Sequence, residues 1–432
     1  MKREDRRLDY NIVLIALCFL MTLLGLGLWG PKGLFTKPVS EALGIERSLY
    51  SLADTVRYAA TAVVSVFFER LLRRFGLKRI ACTGFALMAA AALFYALAEG
   101  LLLLYLGGFL TGVGLCFTGM SVISHVINKT CRRNRGTVMG LVLAANGIGS
   151  AAASPIVSHL INAGGDPFGY RRAFLLMAAV FAVMSLVMLL LFRDPHGREG
   201  EEAVPSSPRR SRGAAWVGIE YARAVRRPYF YGAAAAILFS GLVLQGVSSI
   251  APPYLSDMGL AAELVALITG MTSLLLAVFK IGGGILYDRA GFRVTITVAC
   301  VSSILAMVAL LGVTASTGGM LLAALYAVLQ SAALPMETVF VPIAVNEFFG
   351  ERDHTKILGI FVSVNQLGLA VGPLAMNLVF DLLGSYRPAL LAALPVMVAV
   401  TLLYGVIVGA ARRMRRDVTW EENAGRRDRS GG

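Results

Sequence analysis

The stretch LLLAVFKIGGGILYDRAGFR (274–293) sets one lysine, Lys280, in an otherwise uncharged run that ends in a dense charged turn. Lys280 stands eight residues before Asp288. At about 1.5 Å of helical rise per residue, this puts it roughly 12 Å from the charged end, near the middle of a ~30 Å hydrocarbon core. An ammonium held at that depth costs about 2.5–3.5 kcal/mol on insertion scales, so it must face the bundle interior or a wet cavity. Charge-assisted hydrogen bonds to a carboxylate give such a residue a purpose. The run therefore reads as a membrane-crossing helix with a buried cation.

The rest of the chain repeats the pattern. Of 432 residues, 57% are hydrophobic and only 15% charged, the composition of an integral membrane protein. Apolar runs near the ~20 residues that a crossing helix needs recur at 11–30, 49–68, 80–98, 101–126, 137–162, 172–192, 229–250, 263–286, 294–314, 319–346, 357–380 and 387–410. Twelve crossings place both termini on one side. That side holds 32 of the 40 Lys and Arg, so the positive-inside rule makes it cytoplasmic. The net charge of +14 then belongs to one face of a lipid bilayer and does not indicate nucleic acid. The first run is longer than a signal-peptide core and lacks a small-residue cleavage site, so it is expected to stay in the mature protein. An excess of Arg over Lys, 33 to 7, fits a GC-rich bacterial genome and hence the inner cell membrane. The cysteines form no C-x-x-C, and His and carboxylates do not cluster, so neither a metal site nor a cofactor is expected.

After the sixth run comes RDPHGREGEEAVPSSPRRSRGAAWVGIEYARAVRRP (193–228), polar and rich in Pro, Ser and charge, which reads as a cytoplasmic linker. Its end, 216–227, reads as an amphipathic surface helix with Trp216, Ile219 and Val225 towards lipid. The expected organisation is a six-helix half over 1–192, the linker 193–228, a second six-helix half over 229–411 and a tail over 412–432. The halves are related by a repeat. An offset of 215 pairs Pro38 with Pro253, Gly44 with Gly259 and Gly76 with Gly291. An offset of 219 pairs Gly140 with Gly359, Asn146 with Asn365 and Gly149 with Gly368. Two parallel six-helix repeats are an arrangement of secondary transporters, with substrate bound near the midplane between them.

At GGILYDRAGFR the chain resembles the major facilitator superfamily, whose loop between the second and third helices of a half reads G-x-L-x-D-R-x-G-R-R/K. Gly284, Leu286, Asp288, Arg289, Gly291 and Arg293 match it. The first-half copy ERLLRRFGLKR keeps Arg74, Gly76 and Lys78, while Arg73 stands where the Asp is expected. The resemblance implies an all-α membrane protein of twelve transmembrane helices in two pseudo-repeats. A carboxylate near a helix N-terminus and arginines near helix C-termini can latch the cytoplasmic ends in one state. Asp288, Arg289, Arg293, Arg74 and Lys78 are therefore gating candidates, the alternative being plain positive-inside charge. Within the superfamily, LWGPKGLFTKPVSEALG resembles the monocarboxylate transporters. The resemblance implies that Lys32 captures substrate and that Lys280 is the basic residue of the eighth span. The family's Asp one turn before that residue is replaced here by Leu276. NEFFGERDHTKILGIFVSVNQLGLAVGP also looks like the related oxalate:formate antiporters.

Four further intramembrane polar groups need a role. Arg57 shares a helix face with Asp54, three residues earlier, and is either the partner in a local ion pair or a second cavity cation. Glu337 is the clearest acid inside a span, and either pairs with a cation such as Lys280 or carries a proton. Asn146 and Asn365 either line the cavity or pack helices together. The set of Lys32, Arg57 and Lys280 against one deep acid favours an anionic cargo. The expected function is secondary active transport of a small organic anion, a monocarboxylate first, with a proton or in exchange for a counter-anion. The alternatives are a dicarboxylate or formate exchanger, a drug efflux pump, or a receptor that borrowed the fold. No nucleophile with its base, Walker motif or metal cluster suggests an enzyme.

Overall fold

The computed structural model describes residues 2–130, 135–192, 218–350 and 353–430. All its elements are helical. They are α1 (Lys2–Met21), α2 (Gly33–Leu43), α3 (Arg47–Phe75), α4 (Leu77–Ala96), α5 (Leu101–Thr118), α6 (Met120–Thr130), α7 (Arg135–Asn162), α8 (Tyr170–Leu191), α9 (Tyr221–Ala224), α10 (Pro228–Asp257), α11 (Ala262–Leu311), α12 (Thr317–Ala333), α13 (Phe340–Phe349), α14 (His354–Leu383) and α15 (Arg387–Ser430).

Ten helical segments are long and apolar enough to cross a membrane. The other two expected crossings have a physical explanation. The 50-residue α11 contains two of them, joined at Gly291, whose φ of 78° breaks the helix. The 29-residue α3 is long enough, but Asp54, Arg57 and its hydroxyl side chains dilute its apolar character. The break in α11 sits in the charged turn, where only glycine adopts positive φ without strain. Gly76, its repeat partner, has φ 77° and ψ 159°, against 78° and 170° at Gly291.

Buried apolar side chains form two cores, one drawn from residues 14–192 and the other from 219–411. Within each core the same device brings the first and fifth helices together. A Cβ on Gly149 would press on the carbonyl of Leu23, and one on Gly368 would press on the carbonyl of Leu238, the residue 215 positions after Leu23. Small residues at such crossings let helix backbones touch. We expect Gly149→Ala and Gly368→Ala each to cost about 1–3 kcal/mol by overpacking, read as a lower melting temperature in detergent. Gly405→Ala, at a position with open space around it, should melt like the parent.

Three expected spans are interrupted. The first leaves α1 through a wide turn at Thr22–Leu26 and a tight one at Gly30–Lys32 before α2 begins. Its apolar segment runs over Ile12–Leu43, well beyond the expected end at 30. Lys32 is therefore not a snorkelling residue at the end of a span: it sits at a break inside one, its side chain 12% exposed. The fourth span breaks at Gly119 between α5 and α6, and the tenth at Leu334–Glu337 between α12 and α13. Pro31 and Pro335 lie in two of these turns, where their missing N–H interrupts the helical ladder.

The expected surface helix at 216–227 is shorter and placed differently. Among the described residues of this segment only Tyr221–Ala224 is helical, because Ile219, just before it, is buried and its N–H donates to the Phe349 carbonyl. Val225 packs against the same core. Trp216 and the rest of the linker up to 217 lie outside the described residues. The tail expected from 412 continues α15 as helix to Ser430.

Contacts between the halves concentrate at the face remote from the termini. Ser51 accepts from Asn377 at 2.8 Å, Thr55 donates to the Ala370 carbonyl at 2.8 Å, Ser158 to the Ala262 carbonyl at 3.1 Å, and Ser150 to Ser273 at 2.8 Å. Along α7, Gly147 packs on the carbonyl of Ser273 while Gly140, two turns nearer the terminal face, has open space around it. The seam is thus sealed at the remote face and parted towards the terminal one.

Candidate functional site

A cavity of about 420 Å³ occupies the seam. The first half contributes Gly30, Gly33, Gly140, Asn146 and Ser150. The second contributes Gln245, Thr272, Lys280, Tyr326 and Glu337. Each polar group is brought there by a local feature of sequence. Lys280 rides on the uninterrupted first part of α11. Glu337 ends the tight turn that Pro335 imposes on the tenth span, and Asn365 of α14 fixes that turn by donating its amide to the Glu337 carbonyl at 2.8 Å.

Lys280 and Glu337 are near enough for their charges to interact. Among the described residues, neither forms an ion pair. One carboxylate oxygen of Glu337, Oε1, is buried and accepts no hydrogen bond among the described residues. A buried ion pair would be expected to satisfy both partners. Here a cation and an acid share a cavity and stand apart. Tyr58, on the first half, lies within electrostatic reach of the same acid.

The remaining expected site residues divide. Asn146 lines the cavity. Asn365, its repeat partner, does not: only 6% exposed, it serves the backbone at Glu337. Lys32, Asp54 and Arg57 come together in one cluster within the first half. Lys32 pairs with Asp54, and the Arg57 Nε donates to the same Asp54 oxygen at 3.0 Å. The Lys32 ammonium also lies 5.5–5.9 Å from the ring centres of Trp29, Tyr50 and Tyr95, and the Arg57 guanidinium lies 4.0 Å from that of Tyr58. Two cations on one carboxylate leave a net positive charge beside the cavity wall, held by aromatic faces that attract cations. Tyr58 bridges the two regions, touching Arg57 and feeling Glu337.

At the terminal face Asp288, Arg289, Arg293 and Arg74 are exposed, and Lys78 is half-buried. Among the described residues Asp288, Arg289 and Arg293 make no ion pair, in keeping with halves parted on that side. Residues not singled out from the sequence gather at the opposite end: Lys37, Arg47, Asp257, Asp381 and Tyr386 form one cross-half network. The signal available was the pair of acids closing α10 and α14 opposite Lys37 and Arg47. Nothing in a linear reading brings residues some 210 to 339 positions apart into contact.

Comparison with known proteins agrees with this architecture. The sequence profile described as Major Facilitator Superfamily matches residues 17–336. The chain is 28% identical over 289 residues to mouse (Mus musculus) monocarboxylate transporter 11, covering 64% of this chain and 59% of that one. It is 26% identical over 372 residues to the human (Homo sapiens) protein of the same name, covering 82% and 73%. The match thus spans less than two thirds of the mouse relative's length. Among solved structures, a variant of the nucleoside transporter NupG superimposes with a TM-score of 0.77 at 13% identity, over 91% of this chain and 99% of that one. A bacterial homologue of the human lysosomal transporter Spinster, inward-facing and unoccupied, gives 0.68 at 15% identity, over 94% and 97%. Two six-helix cores meeting at a polar cavity, with a family profile over most of the length, establish that this chain is a multi-pass membrane protein belonging to the Major Facilitator Superfamily.

Proposed function

We propose that this protein is a secondary active transporter of a small organic anion, a monocarboxylate first, moved with a proton by alternating access. The observation that carries the reading is the separation of Lys280 from Glu337 within one cavity. The ammonium is available to a substrate carboxylate, and the acid is available to a proton. Loading both leaves the site with the same net charge as when it is empty, which lowers the cost of moving a charged cargo through a low-dielectric pathway. The similarity to the mammalian proteins called monocarboxylate transporter 11 supports the cargo class.

In this reading residues 1–192 and 229–411 are the two rocking bodies, joined by the linker at 193–228. Asn146 and Ser150 supply neutral hydrogen bonds opposite Lys280. The Lys32–Asp54–Arg57 cluster biases the cavity towards anions through its net charge. Asp288, Arg289, Arg293, Arg74 and Lys78 meet when the terminal face closes. The charge distribution makes that face cytoplasmic, with the protein in the inner cell membrane.

The test is uptake of radiolabelled monocarboxylates into proteoliposomes with and without an imposed pH gradient. Saturable uptake that a proton gradient accelerates is the expected result. Saturable uptake that needs a trans anion and ignores the gradient would replace symport by exchange, and absence of saturable flux for any organic anion would overturn the reading.

A further inference from the structure

The network at the face remote from the termini joins the halves through one buried arginine. Arg47, 7% exposed, opens α3. Its two terminal nitrogens clasp Asp257, at the end of α10, at 2.6 and 3.2 Å, and one of them also donates to the Tyr386 hydroxyl at 3.2 Å. The guanidinium lies 3.9 Å from the ring centre of Phe380. Lys37 adds a second cation on Asp257 at 2.8 Å. Tyr386 passes its proton side to Asn377 at 2.6 Å, and Asn377 reaches back across the seam to Ser51 at 2.8 Å.

A second contact type sits beside the first. The residue before α3, Glu46, makes no side-chain cap. Instead Asp381, on the other half, accepts from the N–H groups of Arg47 at 3.0 Å and Ser48 at 2.8 Å. Helix N-termini present unsatisfied donors that an Asp or Asn side chain ordinarily satisfies from within the same helix. Here the cap comes from α14, so α3 has a capped start only while the halves are closed at this face.

We propose that Arg47, Asp257 and Asp381 form the gate of the remote face: a bidentate ion pair and a helix cap supplied in trans, both of which must break for the cavity to open on that side. The two elements differ in what they need. The clasp needs a carboxylate on Asp257, because bidentate guanidinium pairing uses two charged oxygens. The cap uses both oxygens of Asp381, one for each N–H, so Asn keeps one of the two bonds and Ala neither. The gate opposes the exposed residues of the terminal face, and the state seen here is the one in which it is shut.

This inference rests on the alternating-access reading but not on the cargo, and its test uses no substrate. Spin labels at Phe168→Cys and Leu383→Cys, 39% and 62% exposed and on different halves, report the separation of the remote ends in a background with the native cysteines replaced. One short distance is expected for the parent, and Asp381→Asn, which keeps one of the two cap bonds, should open less than Asp381→Ala. Arg47→Ala, Asp257→Asn and Asp381→Ala should add a longer distance, with the open-to-closed ratio raised about tenfold or more by loss of the charge-assisted bonds or of the cap. A distribution that stays unimodal and short in well-folded Asp257→Asn and Asp381→Ala would overturn the gate. Equal opening by Asp381→Asn and Asp381→Ala would overturn the trans cap. Asp257→Asn keeps the side-chain volume, so the clasp can be judged even if Arg47→Ala does not fold. If the distances behave as expected while no organic anion is carried, the gate stands and the cargo assignment falls.

Discussion

Replacing Lys280 with Gln is expected to reduce organic-anion uptake by at least about 30-fold, the equivalent of losing roughly 2 kcal/mol from a charge-assisted hydrogen bond in a dry site. Gln keeps most of the side chain's length and removes the charge, so insertion and melting temperature should remain near those of the parent. Removing an unpaired buried ammonium takes away a desolvation cost and breaks no ion pair among the described residues. That separates this lysine from a structural one. If Lys280 were half of a permanent pair with Glu337, the Gln variant would leave an uncompensated acid and lose stability by about 3–5 kcal/mol. Direct uptake and thermal melting on the same preparation distinguish the two. Unchanged affinity and flux in Lys280→Gln would remove the residue from the binding site. Lys280→Arg should retain part of the flux, since the guanidinium carries the charge with a different donor geometry.

Glu337→Gln should sever transport from the proton gradient while leaving exchange intact. The sign follows from the chemistry. A carboxylate that loads a proton with its anion does so more often where the pH is low, so an acid exterior drives accumulation inside. The amide is neutral at every pH and mimics the protonated form only. Counterflow of one anion against another should therefore persist in the variant. Accumulation driven by a pH step, up to about tenfold per unit for one proton per anion, should vanish. Gradient-driven uptake that survives in Glu337→Gln would move the proton to another group. Loss of counterflow as well would mean that the acid positions the cavity wall rather than carrying a proton. Asn365→Ala supplies the comparison. It should weaken transport by loosening the turn that presents Glu337, yet keep whatever pH dependence the remaining flux has.

The two kinds of contact made by Asn146 and Asn365 illustrate how far a linear reading reaches. The repeat paired them, as it paired Gly149 with Gly368, whose backbones both press on the first helix of their half. It did not tell them apart. One faces the cavity, and the other is spent on the backbone of a turn that has no counterpart with the same proline. Lys32 shows the same limit. Counting apolar residues ended its span at 30, while the chain continues through Gly30 and Pro31 into a further apolar helix. The lysine thus lies within the bundle against Asp54 and three aromatic rings.

Composition, apolar run length and charge asymmetry determined by themselves that this chain is a helical membrane protein built from two repeats. The reason is that lipid forces every backbone group to be satisfied within a helix and keeps charges to the ends. The expected depth of Lys280 came from helical rise and span length. Apart from the Asp54–Arg57 pair, which shares one helix face and was legible locally, tertiary structure decided which buried charges find partners. Arg57 and Lys32 share Asp54, Arg47 takes Asp257, and Lys280 and Glu337 are left facing one cavity. Lys32 reaches Asp54 because two helices of one half meet there, and Arg47 reaches Asp257 only across the seam, 210 residues away. No local pattern encodes those choices.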